Sequence, residues 1–338
     1  MMAFRLIIRR SMIASLSCQI TGAVLKEAIC SVLSQTFDDV EILVVDDGSS
    51  DDTAEMVQRF DDRRMRYLYQ ENSGRSVARN HGIKAAKGDF LSLLDDDDYY
   101  LPRKFPCQVA YLDTNPDVDM VASGFQTVNR HGEVISIWSN TPVEPELTLL
   151  SYLKHPMLIT SSITFRRTML NHLAGWFATE LEPAEDTDFF IRLLHAGCRT
   201  HWLPEVVSAY RLHERNSSVI RYDRSFKKVL NKLFSRPDVS PVVMAQKKQI
   251  YLRFYLAAAV RAYAVNQVNS AQFKLLQALM VDPEFVEDRL PAIIAGLIRT
   301  GKADPQSFVD FVFQHLPLPA MYLQRYQNEA LSLATGEK

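Results

Sequence analysis

Up to residue 222 the chain alternates short apolar runs with segments of helical spacing. Residues 40–45 and 90–94 are nearly unbroken apolar runs of strand length, the second entered from Gly88. Such runs read as strands buried on both faces. Residues 13–16 and 65–69 read as further, weaker strands. Between them, 22–35 carries Leu25, Ala28, Ile29, Val32 and Leu33 on one helical face, with Thr21 placed to cap it. A second helix, 52–60, turns Ala54, Val57 and Phe60 inward and has Asp51 or Asp52 as its cap. After the turn signal Asn72-Ser73-Gly74, a third helix at 76–86 carries Arg75, Arg79 and Lys84 on its exposed side. Strand and helix in alternation predict a parallel sheet with helices on its faces.

The pattern then loosens. A helix at 103–112 and a strand at 118–122 are followed by a hairpin, 125–128 and 134–138 around Arg130-His131-Gly132, which makes the sheet mixed. A strand at 159–165, a loop at 174–183, a helix at 185–196 and strands at 200–203 and 206–210 close this part. Beyond residue 222 strand signals stop. After a linker at 235–241, helices are predicted at 244–266, 271–281, 284–300, 305–315 and 320–333, with Pro283, Pro291 and Pro305 near helix starts. The expected organisation is an α/β domain over 1–222 and an α-helical domain over 223–338.

Composition narrows the function. A net charge of −2 over 338 residues argues against a nucleic-acid partner and implies no polyanion-binding surface. Cys18, Cys30, Cys107 and Cys198 have no metal-type or redox-type spacing and read as plain thiols of a reducing compartment. The apolar stretch 255–265 is broken by Arg261 and too short to span a bilayer, and the start, MMAFRLIIRRSMIASL, is only a faint likeness of a signal peptide. The expectation is a cytoplasmic protein, with peripheral contact at the inner face of the membrane left open.

The candidate chemistry sits where the two strongest strands end. The run 90–94 leads into Asp95, Asp96, Asp97 and Asp98. Two carboxylates ~4 Å apart repel by ~4 kcal/mol at an effective dielectric of ~20, so four at the mouth of a buried strand call for a cation. A divalent metal with oxygen ligands is the simplest one. The plain alternative, a solvated loop or helix cap, is the better account of an isolated acidic run. A second cluster, Asp46 and Asp47 followed by Gly48 at the end of strand 40–45, shifts the balance. In open α/β sheets ligands bind outside the carboxyl ends of the strands, so the two clusters predict one pocket. The chain has neither G-x-x-x-x-G-K-[ST] nor G-x-G-x-x-G. The expected ligand is a nucleoside diphosphate held through metal, with Asp46 or Asp47 accepting from the base or ribose.

The ordered segments QTFDDVEILVVDDGSSDDT, ENSGRSVARNHGIKAAKGDFLSLLDDDDYYLP, EDTDFFIRLLHAG and YRLHERNSS resemble the family 2 glycosyltransferases of GT-A fold, over roughly residues 22–218. The resemblance implies a Rossmann-like, mixed and mostly parallel sheet flanked by helices, followed here by an all-α region. It implies inverting transfer of a sugar from a nucleotide-diphosphate donor, commonly UDP-linked, to a hydroxyl of a glycan or lipid-linked acceptor in cell-surface glycan synthesis, with Mg or Mn. By the same resemblance Asp46 and Asp47 bind the nucleoside and Arg79 lies near the nucleotide. Asp95 and Asp96 contact the donor, Asp97 and Asp95 hold the metal, and His213 approaches the metal or diphosphate. Glu185-Asp186 matches the acidic pair of the family, with Asp186 the general base. Trp176 reads as loop packing, or more sharply as a platform for an acceptor sugar. One departure stands out: the family's Pro-x-Tyr-Asn after the first strand is missing from Ile13-Ala14-Ser15-Leu16-Ser17-Cys18-Gln19-Ile20. It supports an alternative reading, an impaired relative that binds a partner through its helical tail. A nucleotidyltransferase is a third reading, opposed by the absence of Lys and Arg from residues 17–22.

Overall fold

A computed structural model describes residues 10–16, 22–139, 146–155, 158–212, 219–265 and 267–282. The chain divides into two compact units, Met1–Ser217 and Ser218–Lys338. The first opens with β1 (Arg10–Leu16), α1 (Gly22–Leu33), β2 (Val40–Asp47), α2 (Thr53–Gln58), β3 (Met65–Gln70), α3 (Arg75–Ala85) and β4 (Phe90–Asp95). A two-residue β5 (Tyr99–Tyr100), α4 (Lys104–Thr114), β6 (Met120–Val128), β7 (Val134–Trp138) and α5 (Leu149–Lys154) follow. The unit closes with β8 (Ile163–Arg166), α6 (Glu185–His195) and β9 (Thr200–Arg211).

The sheet runs β3-β2-β1-β4-β8-β6-β9-β5, with β7 paired to β6. β1, β2, β3 and β4 are parallel, whereas β8 is antiparallel to both β4 and β6. The mixed, mostly parallel sheet expected from the alternation is thus present. Ile42 and Val44 pack in one core cluster with Leu25, Ala28, Ile29 and Val32 of α1 and with Phe105 and Val109 of α4. Their alternates Leu43 and Val45 are equally buried. That two-sided burial is why β2 reads as an unbroken apolar run. The sequence runs from β1 outward to β3, then returns to β4 on the other side of β1. The switch point of the sheet therefore lies at the C-terminal end of β1.

Several expectations are corrected. β1 starts at Arg10 rather than residue 13 and is a central strand, paired with β2 and β4 along its length. The strand expected at 159–165 is a 3-10 turn, Thr160–Ser162, leading into β8. Its three hydroxyl side chains turn inward and bond locally or to acids, which competes with a sheet ladder. Segments 118–122 and 125–128 merge into β6, and 200–203 and 206–210 merge into β9, with register shifts around Gly124. A Cβ on Gly124 would lie 2.6 Å from the Trp138 carbonyl oxygen and 3.2 Å from that of Glu205, so glycine lets the strands close there. Arg79, expected on the exposed side of its helix, is 3% exposed.

The second unit, as far as it is described, is helical: α7 (Val219–Phe234), α8 (Pro241–Ala245), α9 (Lys247–Ala264) and α10 (Val268–Val281). The single helix expected at 244–266 is broken at Gln246, which ends α8 and caps α9. Thr21, His213 and the helices expected at 284–300, 305–315 and 320–333 lie outside the described residues.

Candidate active site

The strand registers bring the acids to one rim. Leu16 of β1 pairs with Asp46 of β2, and Ser15 pairs with Asp95 of β4. Strands lie ~4.8 Å apart, so the two acids flank the end of β1 at a backbone separation of ~10 Å.

On the β2 side both carboxylates are buried and held by neutral donors. Asp46 Oδ1 accepts from the Ser49 amide at 2.8 Å, and its Oδ2 accepts from the Tyr67 hydroxyl. Burial and then this contact push the Tyr67 phenol above its ordinary range. Asp47 Oδ1 accepts from Gln70 Nε2 at 2.7 Å and from the Ser73 amide at 2.8 Å, and its Oδ2 from the Gly74 amide at 2.8 Å. Asp47 therefore fixes the loop that enters α3. Gly48 has φ +81°, and a Cβ there would lie 2.6 Å from the Asn72 amide nitrogen. The chain can leave β2 beside that loop only with glycine at this position.

On the β4 side the acids form a turn closed by the Asp98 amide donating to the Asp95 carbonyl at 3.1 Å. Asp98 is buried; it accepts from Ser161 Oγ at 2.9 Å and from the Arg211 amide at 3.0 Å. Arg211 also donates through Nε to the Asp97 carbonyl at 3.0 Å. Burial, then the neighbouring Asp97 and Asp95 charges, push the Asp98 carboxyl well above the usual carboxylate range. Asp96 is buried and Asp97 half-buried. Asp95 keeps 27% of its side chain exposed. Its Oδ1 accepts from Arg79 at 2.6 Å and its Oδ2 from Thr160 Oγ1 at 3.2 Å. Burial raises the Asp95 carboxyl, but the guanidinium outweighs it and holds the group below its usual range.

Arg79 joins this turn to α6. Its second terminal nitrogen donates to Glu185 Oε1 at 2.7 Å, and its guanidinium lies 5.2 Å from the centre of the Phe177 ring. Burial works against the charge, yet the two carboxylates hold Arg79 protonated above its ordinary range. Arg79 Nε and Glu185 Oε2 are buried without a hydrogen-bond partner. Next to Glu185, Asp186 accepts from the Thr187 amide at 2.6 Å. Its carboxyl is pushed up to about 6, first by burial and then by the Glu185 charge, against the pull of Arg79.

The loop beside this cluster is pinned from both sides. Asn80 of α3 exchanges two 2.9 Å bonds with the Phe177 backbone. Arg192 of α6, paired with Asp188 at 2.6 Å, donates to the Gly175 carbonyl at 2.6 Å and to that of Trp176. Trp176 is half-buried on this loop.

Of the residues singled out from sequence, Asp95, Arg79, Glu185 and Asp186 form one connected cluster. Asp46 and Asp47 share its rim, two strands away. Asp96 and Asp97 lie in the adjoining turn, and His213 is outside the described residues. Thr160, Ser161, Tyr67, Gln70 and Arg211 were not anticipated. The hydroxyl run Thr160-Ser161-Ser162 within an apolar stretch was the one local signal. Among the described residues, no group of three or more His, Cys, Asp or Glu is arranged to hold a metal ion.

Comparison with known proteins places this architecture. The family model described as glycosyl transferase family 2 matches residues 18–174. The uncharacterized glycosyltransferase EpsJ of Bacillus subtilis is 30% identical over 221 residues, 62% of this chain. The chain spans 63% of EpsJ and 33% of an uncharacterized glycosyltransferase of Rickettsia conorii that is likewise 30% identical. Among solved structures, S. aureus TarS in complex with UDP-GlcNAc superposes with a TM-score of 0.61 at 18% identity, covering 97% of this chain and 92% of that one. The mannosyltransferase PcManGT of Pyrobaculum calidifontis, in complex with GDP-Man and Mn2+, gives 0.58 at 18% identity, covering 97% and 88%. With its acids at the switch point of such a sheet, the chain has the GT-A fold of these solved structures, and its residues 18–174 resemble the family 2 glycosyltransferases.

Proposed function

We propose that this protein transfers a sugar, with inversion, from a nucleotide-diphosphate donor to a hydroxyl of a glycan or lipid-linked acceptor. The observation that carries the reading is the cluster Asp95–Arg79–Glu185–Asp186 at the carboxyl rim of the sheet, with the Asp186 carboxyl at about 6. A base of that strength is mostly ionised at neutral pH and still holds a proton better than an ordinary carboxylate. Asp186 takes the proton of the acceptor hydroxyl as its oxygen attacks the anomeric carbon. Arg79 and Glu185 orient the turn and helix that present Asp95 and Asp186. Asp46 and Asp47 shape the nucleoside end of the cleft. The solved relatives hold UDP-GlcNAc or GDP-Man, which supports a nucleotide-sugar donor; the family resemblance favours a UDP-linked one.

Asp95 and Asp97 suit a divalent ion, Mg or Mn, because both are hard oxygen donors one residue apart on a turn. Such ions are bound by one or two carboxylates together with substrate phosphates and water, so a three-ligand protein cage is not required. Bound there, the ion would offset charge on the departing diphosphate. His213 is the proposed additional contact to the ion or diphosphate. The α/β unit carries this activity in our reading, and the helical unit follows it as a separate domain.

The test pairs two variants. Asp97→Ala is expected to abolish Mn-dependent binding of the donor, measured by thermal shift across a panel of nucleotide sugars. Asp186→Ala is expected to leave that binding intact and to lower turnover by ~10²–10⁴-fold. Full turnover in Asp186→Ala would remove the base from the scheme.

A further inference from the structure

We propose that the outer face of α7 is a docking surface for an anionic phospholipid bilayer. This goes beyond sugar transfer and rests on the second unit alone. Between residues 219 and 282 the chain has eleven Lys or Arg and three Asp or Glu, in a protein whose overall balance is −2. All three acids are engaged by cations: Asp223 with Arg261, Asp238 with Arg236 at 2.7 Å, and Asp282 with Lys248 at 3.2 Å. Positive charge is therefore concentrated in this segment.

The charge is also ordered. Arg221, Arg224, Lys228 and Lys232 of α7 are all exposed. At 100° per residue they fall within roughly 80° of arc, a stripe ~16 Å long. The opposite face is fixed: Phe226, Val229, Leu230, Leu233 and Phe234 are buried, with Phe226 against Phe254 at 5.4 Å and Phe234 against Tyr251 at 5.6 Å. Asp223 is buried and turned to Arg261, so it does not neutralise the stripe. The helix cannot roll to hide its cations without exposing that apolar face.

Two observations favour a lipid surface over a soluble polyanion. Proteins that grip single-stranded nucleic acid set exposed aromatics among their cations for stacking. No exposed aromatic lies on the stripe, and Tyr222 is half-buried beneath the Arg261 guanidinium, 5.7 Å from its ring centre. The same unit also exposes large apolar side chains, among them Met280 (84%), Val242 (66%) and Phe273 (60%). A bilayer interface accepts cations and apolar side chains together.

The experiment is sedimentation of the full chain with vesicles of phosphatidylcholine alone, or of phosphatidylcholine with phosphatidylglycerol, at low and high ionic strength. Binding is expected only to the anionic vesicles, and it should fade at high salt. Arg224→Gln with Lys228→Gln should lower partitioning ~30-fold, since each cation near an anionic surface contributes roughly fivefold. These side chains are exposed, so the thermal midpoint of the double variant should match the parent. Should that variant fail to fold, Arg221→Gln with Lys232→Gln carries the same expectation. The proposal is overturned by equal binding to neutral vesicles, by full binding of a folded double variant, or by binding to an oligonucleotide or dextran sulfate without binding to anionic vesicles.

Discussion

The ends of β2 and β4 are built from the same short phrase, an apolar strand followed by aspartates, yet they solve the charge problem in opposite ways. At β2, Asp46 and Asp47 are answered by backbone amides, a tyrosine hydroxyl and a glutamine amide from 3 to 27 residues away. At β4, Asp95 is answered by a buried guanidinium that also serves Glu185. Neutral donors leave a carboxylate fixed and the loop around it rigid. A shared cation leaves a cluster whose members respond to one another's charge. The first arrangement suits shaping a cleft; the second suits handling a proton and a charged ligand.

Breaking the shared cation should have the largest effect. Arg79→Met would strand Asp95 and Glu185 around an apolar side chain, at a cost of about 3–5 kcal/mol typical of a broken buried pair. Chemical denaturation of the parent and variant would measure it; a loss below ~1 kcal/mol would mean that Arg79 is not the hub. On the neutral side, Asp47→Asn turns an amide toward three donors and should cost about 1–3 kcal/mol. Its kinetic signature should be a raised KM for the donor with kcat little changed, because the loop loosens while Asp186 is untouched.

Acidity separates two members of the shared-cation cluster. The fold raises the Asp186 carboxyl to about 6, so it favours the protonated form. The rate should fall about tenfold per pH unit below that value, as the base fills with its proton. Stability from this group runs the other way: it is fully present below the unfolded carboxyl value and lost as pH rises through about 6. Asp95, lowered by Arg79, has the opposite sign, adding stability above its unfolded value that is lost as pH falls through its folded value. A rate profile with no acid limb near 6 would contradict the assignment of Asp186. The smallest change is expected from Asp98→Asn. Its raised carboxyl is held by Ser161 and the Arg211 amide, and an amide can keep the contact to Arg211. Turnover should drop far less than in Asp97→Asn, by side-by-side assay.

The overall charge hid a third region. A balance of −2 implied no polyanion-binding surface, but the average conceals a segment from 219 to 282 with eleven cations against three acids. Periodicity along α7 puts four of those cations on one side. That the apolar side is docked, and the basic side therefore left outward, depends on contacts with α9.

The sequence alone determined the parallel strands, the helices between them and the rim on which their acids emerge. Those features depend on the spacing of apolar side chains within a single element, and strand ends in such sheets have one functional edge. Tertiary structure alone decided which acid met which hydrogen-bond donor. Arg79 and Glu185 are 106 residues apart, Asp98 and Arg211 are 113 apart, and Thr160 and Asp95 are 65 apart. A charge on a helix reads as solvent-facing until the fold brings carboxylates to it, because the desolvation of Arg79 is offset only by partners that no local pattern encodes.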